Sequence, residues 1–426
     1  MANRYWVGGS GTWNTSSTTN WSTTSGGSSG ASVPTSADAV FINGSSGSPT
    51  ITLTGALNCA SLDTTGSTCT IQGSGTLGCA GSFTLSTTTT ATSWAGSLTI
   101  TGASTITTNG KTVNCDLIIN AAGFTATLAG NSIFGQGSSN IVTLTNGTLN
   151  LNSYSLTCTS FASNNSNTRA IQFGTSGSIV INPSVLGSFS INSATGFSYT
   201  GTSLISVGGI ASSITIVTAA NTSSQALNFA LSSSASYTEG SANTYNNLTV
   251  NSGTLANAVR QIFGNFNTGS SCTLTAGTNP TTFVSTSATQ TITPNGKTWD
   301  FPLVLGTGSG TPTFAFSGAF TQGSTRMFTF DIGTLQFTAS TTNTVGYFVT
   351  SGSTLKYLTS SSSGTQATIS QASNTVNATY LSIKDSNATG GATWNAPTAS
   401  SNVDAGNNTG WSFANPTSTG NYYLIF

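Results

Sequence analysis

Thr105-Ile106-Thr107-Thr108-Asn109-Gly110-Lys111-Thr112 returns as Thr291-Ile292-Thr293-Pro294-Asn295-Gly296-Lys297-Thr298, an offset of 186 residues (297 − 111). The offset holds without a gap. Phe134-Gly135-Gln136-Gly137-Ser138 matches Phe320-Thr321-Gln322-Gly323-Ser324, and Gly147-Thr148-Leu149 matches Gly333-Thr334-Leu335. A weaker copy lies between the two. Asn247-Leu248-Thr249-Val250-Asn251 resembles Asp116-Leu117-Ile118-Ile119-Asn120, Ile262-Phe263-Gly264 resembles Ile133-Phe134-Gly135, and Leu274-Thr275-Ala276-Gly277-Thr278 echoes Leu144-Thr145-Asn146-Gly147-Thr148. Its offsets are 131 (247 − 116), 129 (262 − 133) and 130 (274 − 144), so short insertions and deletions sit in turns. The copies run over about 105–151, 236–282 and 291–337.

Inside a copy the apolar residues alternate. Ile51-Thr52-Leu53-Thr54, Ser97-Leu98-Thr99-Ile100-Thr101 and Thr148-Leu149-Asn150-Leu151-Asn152 each place one apolar side chain on every second residue. That is a strand with one dry face and one Ser/Thr/Asn face. No stretch repeats apolar residues at a helical period, and Ser, Thr, Asn and Gly all rank low in helix propensity. Short strands separated by Gly, Asn and Ser, repeated with indels confined to turns, favour a solenoid over a sandwich or barrel. In a solenoid each coil pairs with the next by parallel strands, and inward apolar residues stack into a ladder. The expected fold is an all-β, single-chain parallel β-helix (β-solenoid) with N- and C-terminal caps. Its expected parts are an N-terminal cap at 1–45, the solenoid at 46–378, and a C-terminal cap and tail at 379–426.

Composition sets limits on chemistry. The 426 residues include 8 Lys and Arg, 8 Asp and Glu and no histidine, and only 4% of residues are charged, against about 25% in an ordinary soluble domain. A Ser-His-Asp triad, a histidine-ligated metal and a basic patch for phosphates are all excluded. The 22 Phe, 10 Tyr and 7 Trp argue against a disordered polar tract. No apolar run approaches the roughly 20 residues needed to span a membrane, and the opening Met-Ala-Asn-Arg-Tyr-Trp carries no secretory signal pattern.

Three of the seven Trp fall within 21 residues at the N-terminus, in Tyr5-Trp6-Val7-Gly8-Gly9, Gly11-Thr12-Trp13-Asn14, Asn20-Trp21-Ser22 and Val33-Pro34-Thr35-Ser36-Ala37-Asp38. This string resembles the N-terminal segment of β-solenoid proteins of the phage-fibre and autotransporter-passenger type. Tyr380-Leu381-Ser382-Ile383-Lys384-Asp385-Ser386-Asn387, Trp394-Asn395-Ala396 and Gly406-Asn407-Asn408-Thr409-Gly410-Trp411-Ser412-Phe413 resemble the closing module of right-handed parallel β-helix proteins. The resemblance covers nearly the whole chain. It departs from tail spikes at the start, because cap-like sequence begins at about residue 4, where a spike carries a separate attachment domain. Docking on a particle would then use the cap, its flank, or the tail Asn421-Tyr422-Tyr423-Leu424-Ile425-Phe426.

Few residues could carry chemistry. The acids are Asp38, Asp63, Asp116, Glu239, Asp300, Asp331, Asp385 and Asp404, and Lys297, Asp300, Arg326 and Asp331 form the densest charged group. A sugar-cleaving enzyme needs converging carboxylates. Lys111 and Asp116 sit in nearly equivalent places in another copy, which points to salt bridges or turn residues. Asp385-Ser386-Asn387 and Asp404-Ala405-Gly406-Asn407-Asn408 offer oxygens, but Asx turns explain them more simply than calcium. Cys59, Cys69, Cys79, Cys115, Cys158 and Cys272 contain no Cys-x-x-Cys pair. They read as buried thiols acting as small apolar groups, with Cys59 stacked over Cys79. Trp6, Trp13, Trp21, Trp394 and Trp411 read as seals at the solenoid ends, while Trp94 and Trp299 are placed for exposure and could serve a glycan platform.

The expectation is a chain with no catalytic, cofactor or metal residue, acting as a non-enzymatic phage virion structural protein. It would be a β-helical tail fibre, spike or capsid-attached appendage, assembled in the host cytoplasm and acting outside the cell. Its expected partners are other virion proteins, further copies of itself (a trimer, as in many spikes) and host surface glycans, with no nucleic acid and no membrane insertion. A bacterial extracellular adhesin or self-assembling filament subunit is the second reading, and a polysaccharide-degrading spike the third.

Overall fold

A computed structural model describes residues 2–135, 140–218, 224–240, 242–284, 288–307 and 310–415. The chain is a parallel β-solenoid of about 16 turns, as the alternation and the repeats predict. It divides into two compact units, Met1–Thr244 and Tyr245–Phe426.

Each turn of the first unit lays down three short strands separated by corners, and each strand pairs in parallel with its counterpart one turn on. One face carries the inward ladder Val40, Leu62, Phe83, Ile106, Leu128. Another carries Leu57, Leu77, Leu98, Leu117, Val142. The third includes Ile51 over Ile71. All of these side chains are buried. Removing such a side chain from water contributes about 1.5–3 kcal/mol, and in-register stacking gives each apolar group apolar neighbours above and below. Outward residues form polar rows. Gln72 Nε2 donates to Thr52 Oγ1 at 3.0 Å, Asn146 Nδ2 to Asn120 Oδ1 at 2.9 Å, and the Ser155 and Ser178 hydroxyls lie 2.9 Å apart, each contact joining neighbouring turns.

The first strand, Ala2–Trp6, pairs in parallel with Asp38–Phe41 and antiparallel with Trp21–Ser22, so chain crosses over the edge of the first turn. Trp6, Trp13 and Trp21 are buried there, with the Trp21 ring 5.1 Å from each of the other two, edge to face. The Val-Pro-Thr-Ser-Ala-Asp string is a turn: Thr35 donates to the Asp38 carboxylate from its amide (2.9 Å) and its hydroxyl (2.8 Å). Burial pushes the Asp38 carboxyl up. The Thr35 bonds and nearby Arg4 outweigh that push and leave it below the usual carboxylate value.

The second unit repeats the three-faced turn with a heavier aromatic filling. Phe314, Leu335, Leu358 and Ile383 stack on one face, and Ile262, Phe283, Leu305 and Phe330 on another. Its last strands, Val403–Asp404 and Trp411–Ser412, pair in parallel with Leu381–Ile383 and Thr393–Asn395. Among the described residues nothing pairs with their outer edges. Trp394 and Trp411 meet at 4.9 Å in this final turn. The tail Asn421–Phe426 lies outside the described residues.

Two expectations are corrected. Trp94 and Trp299 are fully buried. Trp94 follows a shift in register between Thr90 and Ser93, and the extra residue flips the alternation so that the ring turns inward, its Nε1 donating to Gly75 O at 2.8 Å. Trp299 points into a cage of Phe266, Phe301 and Phe320 at 4.7–5.8 Å. Neither is free to meet a glycan.

Candidate functional site

The acids do not converge; most hold turns. The densest sequence cluster separates into three parts. Arg326 Nε donates to Asp300 Oδ1 at 2.6 Å, Lys297 Nζ donates to Ser270 O at 2.6 Å, and Asp331 feels the charge of Lys356 without an ion pair, its Oδ1 buried with no hydrogen-bond partner among the described residues. Asp116 accepts the Ile141 amide at 2.9 Å, and Asp63 accepts the Thr65 amide at 2.8 Å. Asp385 accepts Asn407 Nδ2 at 2.6 Å, while Asp404 accepts the Gly406 amide and Asn408 Nδ2. These last are Asx-type corner bonds. Among the described residues no group of three or more His, Cys, Asp or Glu is placed to hold a metal ion.

The six cysteines are buried and free, with Cys59 in register over Cys79. Burial pushes the thiols of Cys115 and Cys158 far up, so they act as small apolar groups.

Sequence reading missed the buried cations. Arg169 is buried, and its guanidinium donates to Ser163 Oγ, Ser163 O, Asn167 O, Thr195 O and Ser193 O at 2.6–3.1 Å. Every bond closes a corner of its own turn or the next, and burial draws its pKa down. Lys356 is buried too, 0% exposed, donating to Thr379 O at 3.2 Å. Both residues begin a strand, and nothing in the letters marks them as inward.

It also missed a place where the outer surface departs from a flat lattice of small polar groups. In the strand Asp116–Leu128, Asn120 pairs with Asn146 but the next partners are Thr125 and Thr148. Five residues on one turn are therefore matched by two on the next; Ala121 stays buried and Ala122–Phe124 loop outward. Gly147 makes room for the loop: its φ is +80°, and a Cβ there would stand 2.1 Å from Ala121 O. Phe124 is 52% exposed, the sole phenylalanine among the described residues in that state. It borders a hollow of about 170 Å³ floored by Thr125, Thr148, Ala170 and Ser198. The signal was present as Ala121-Ala122-Gly123-Phe124, where alternation breaks and glycine precedes an out-of-phase aromatic.

A second surface feature is aliphatic. Val185, Leu186 and Ile210 are exposed on two neighbouring corners, Ile210 to 82%, beside a hollow lined by Asn182, Pro183 and Gly209.

No helix among the described residues is long and apolar enough to cross a membrane. No protein-family model, curated protein or solved structure matches the chain.

Proposed function

We propose that the chain is a non-enzymatic virion structural protein of a phage, a tail fibre, spike or capsid-attached appendage that works outside the host cell. The observation that carries this reading is how its ionisable groups are used. Asp38, Asp116, Asp300, Asp385, Arg169 and Lys356 all close corners or join turns, and the surface left over is dominated by hydroxyls and amides. Such a surface avoids nonspecific electrostatic sticking. It supports contact through many weak polar bonds, which many copies on one particle would multiply. Backbone groups committed to parallel ladders also leave few strands for a protease to unfold. A polysaccharide-degrading spike would need carboxylates converging in one groove, whereas Asp300 is bonded to Arg326 and the charge that acts on Asp331 is that of Lys356, not of a second acid.

The test is immunogold labelling of particles released by host lysis, with antibody raised against the chain. Label at a fixed place on the particle is the expected result. Purified particles free of the antigen would overturn the reading.

A second reading, a bacterial adhesin or filament subunit, draws on the outer edges of Val403–Asp404 and Trp411–Ser412, which pair with nothing among the described residues. Filaments of purified chain that lengthen with concentration in electron micrographs would favour it.

A further inference from the structure

We infer that the hollow beside Phe124 is a binding subsite for a neutral, hydroxyl-rich saccharide. The inference deepens the host-contact part of the reading above and rests on it for its biological setting, but the site stands on its own geometry.

Phe124 leaves about half of its surface in water, and the fold places it there by a three-residue bulge that depends on two glycines, Gly123 at φ +77° within it and Gly147 beneath it. Bulges of this kind re-aim side chains. Next to the ring the floor is made of short side chains: Thr125, Thr148, Ala170 and Ser198 are register partners on four successive turns, about 4.8 Å apart from one turn to the next. The hydroxyls of Thr125, Thr148 and Ser198 make no side-chain hydrogen bond among the described residues, nor does the Gln172 amide in the parallel outward row. An aromatic edge beside regularly spaced, unspent donors and acceptors suits a sugar. Its C–H face packs on the ring while its hydroxyls meet the floor.

Charge narrows the class. Arg169 borders the hollow, yet its guanidinium is turned inward and spent on Ser163, Asn167, Ser193 and Thr195. No acid borders the hollow. An anionic sugar would find no counter-charge, and a basic peptide no carboxylate.

The experiment titrates the full chain by calorimetry with three neutral hexasaccharides: an α-1,4-glucan, a β-1,4-glucan and a β-1,4-linked N-acetylglucosamine oligomer. At least one should bind saturably, with a dissociation constant of about 0.1–1 mM that does not change with salt. Phe124→Ala should weaken that binding at least about fivefold and Phe124→Trp should keep it, both variants unfolding at the parent's denaturant midpoint because the ring is outside the core. The inference is overturned if none of the three saturates below about 10 mM, or if Phe124→Ala binds as tightly as the parent. Particles lacking the antigen would sink the virion assignment without touching this result. A chain found on particles that binds none of the sugars would sink the subsite alone.

Discussion

The stretches 105–151 and 291–337 bury the same positions with different chemistry. Ile106, Leu117 and Leu149 correspond, 186 residues on, to Ile292, Leu303 and Leu335, and every one is buried. At other matched positions aliphatic residues become aromatic: Val113 becomes Trp299, Leu128 becomes Phe314, Val142 becomes Phe328, Leu144 becomes Phe330 and Leu151 becomes Phe337, again buried in both. Two corners keep their geometry, while others change, Gly135 (φ +69°) being matched by Thr321 and Gly306 (φ +85°) by Asn120. Asn109 and Gly110 have φ of +49° and +73°, and Asn295 and Gly296 have +47° and +72°. Gly147 and Gly333 share φ of +80° and +85°. The comparison teaches that corner geometry and strand parity fix a turn, while the filling varies as long as it stays apolar. In the second stretch the rings support one another, Phe316 lying 4.9 Å from Phe320 and 5.1 Å from Phe337.

If the filling is adapted to each copy, exchange should hurt in both directions. Phe328→Ala should cost about 3–5 kcal/mol through cavity formation, and Val142→Phe about 1–3 kcal/mol through overpacking, both read from urea unfolding. A neutral Val142→Phe would mean that the first stretch has spare volume, and the comparison would lose its force.

The corners should behave alike in both copies. A Cβ at Gly147 would stand 2.1 Å from Ala121 O, and one at Gly333 would stand 2.2 Å from Pro312 O. Alanine at either should cost roughly 3 kcal/mol, because backbone as well as φ must give. At Gly110 and Gly296 nothing lies within 4 Å of the added atom, and only the positive φ opposes alanine, at about 1 kcal/mol. Equal costs at the crowded and open corners would break the account.

The smallest effect concerns charge. Tyr357 opposes Thr334 as Ala170 opposes Thr148, so Lys356 takes the place of Arg169, whereas Asp331 takes the place of Thr145 and the acid occurs beside the later cation alone. Burial pushes the Asp331 carboxyl above its ordinary value, with Lys356 opposing. The folded state therefore holds a proton that the unfolded chain releases. This group's contribution is fully present below the unfolded pKa of 3.8 and is lost as pH rises through the raised folded value. The difference in urea midpoint between the parent and Asp331→Thr should shift against the parent as pH rises from below 3.8 toward neutrality. A constant difference over that window would show that burial does not govern the group.

The solenoid was legible because parallel stacking demands period-2 alternation and tolerates indels only at corners, and both are written in the letters. Cys59 over Cys79 followed from their spacing by the same logic. Failures arose where an odd number of extra residues changes parity. One extra residue before Ser93 turned Trp94 inward, and three extra residues in the Ala122–Phe124 loop turned a phenylalanine out. The weak middle copy shows the same effect. Ile262 points in and Phe263 does not, the reverse of Ile133 and Phe134, so these stretches share letters without sharing a face. Arg169 and Lys356 were illegible for another reason: what makes a buried cation tolerable is a ring of backbone carbonyls, and carbonyls have no letter.

The central claim, in-register parallel stacking of matched turns, is tested most directly by disulfide trapping on the outer surface. Asn150→Cys with Gln172→Cys, and in the later copy Gln336→Cys with Thr359→Cys, join register partners on adjacent turns, within reach of an S–S bond. Asn150→Cys with Ala170→Cys is two residues out of register. The account predicts rapid closure of both in-register pairs under mild oxidation and little closure of the third. Preferential closure of the out-of-register pair, or no closure of either register pair, would contradict it.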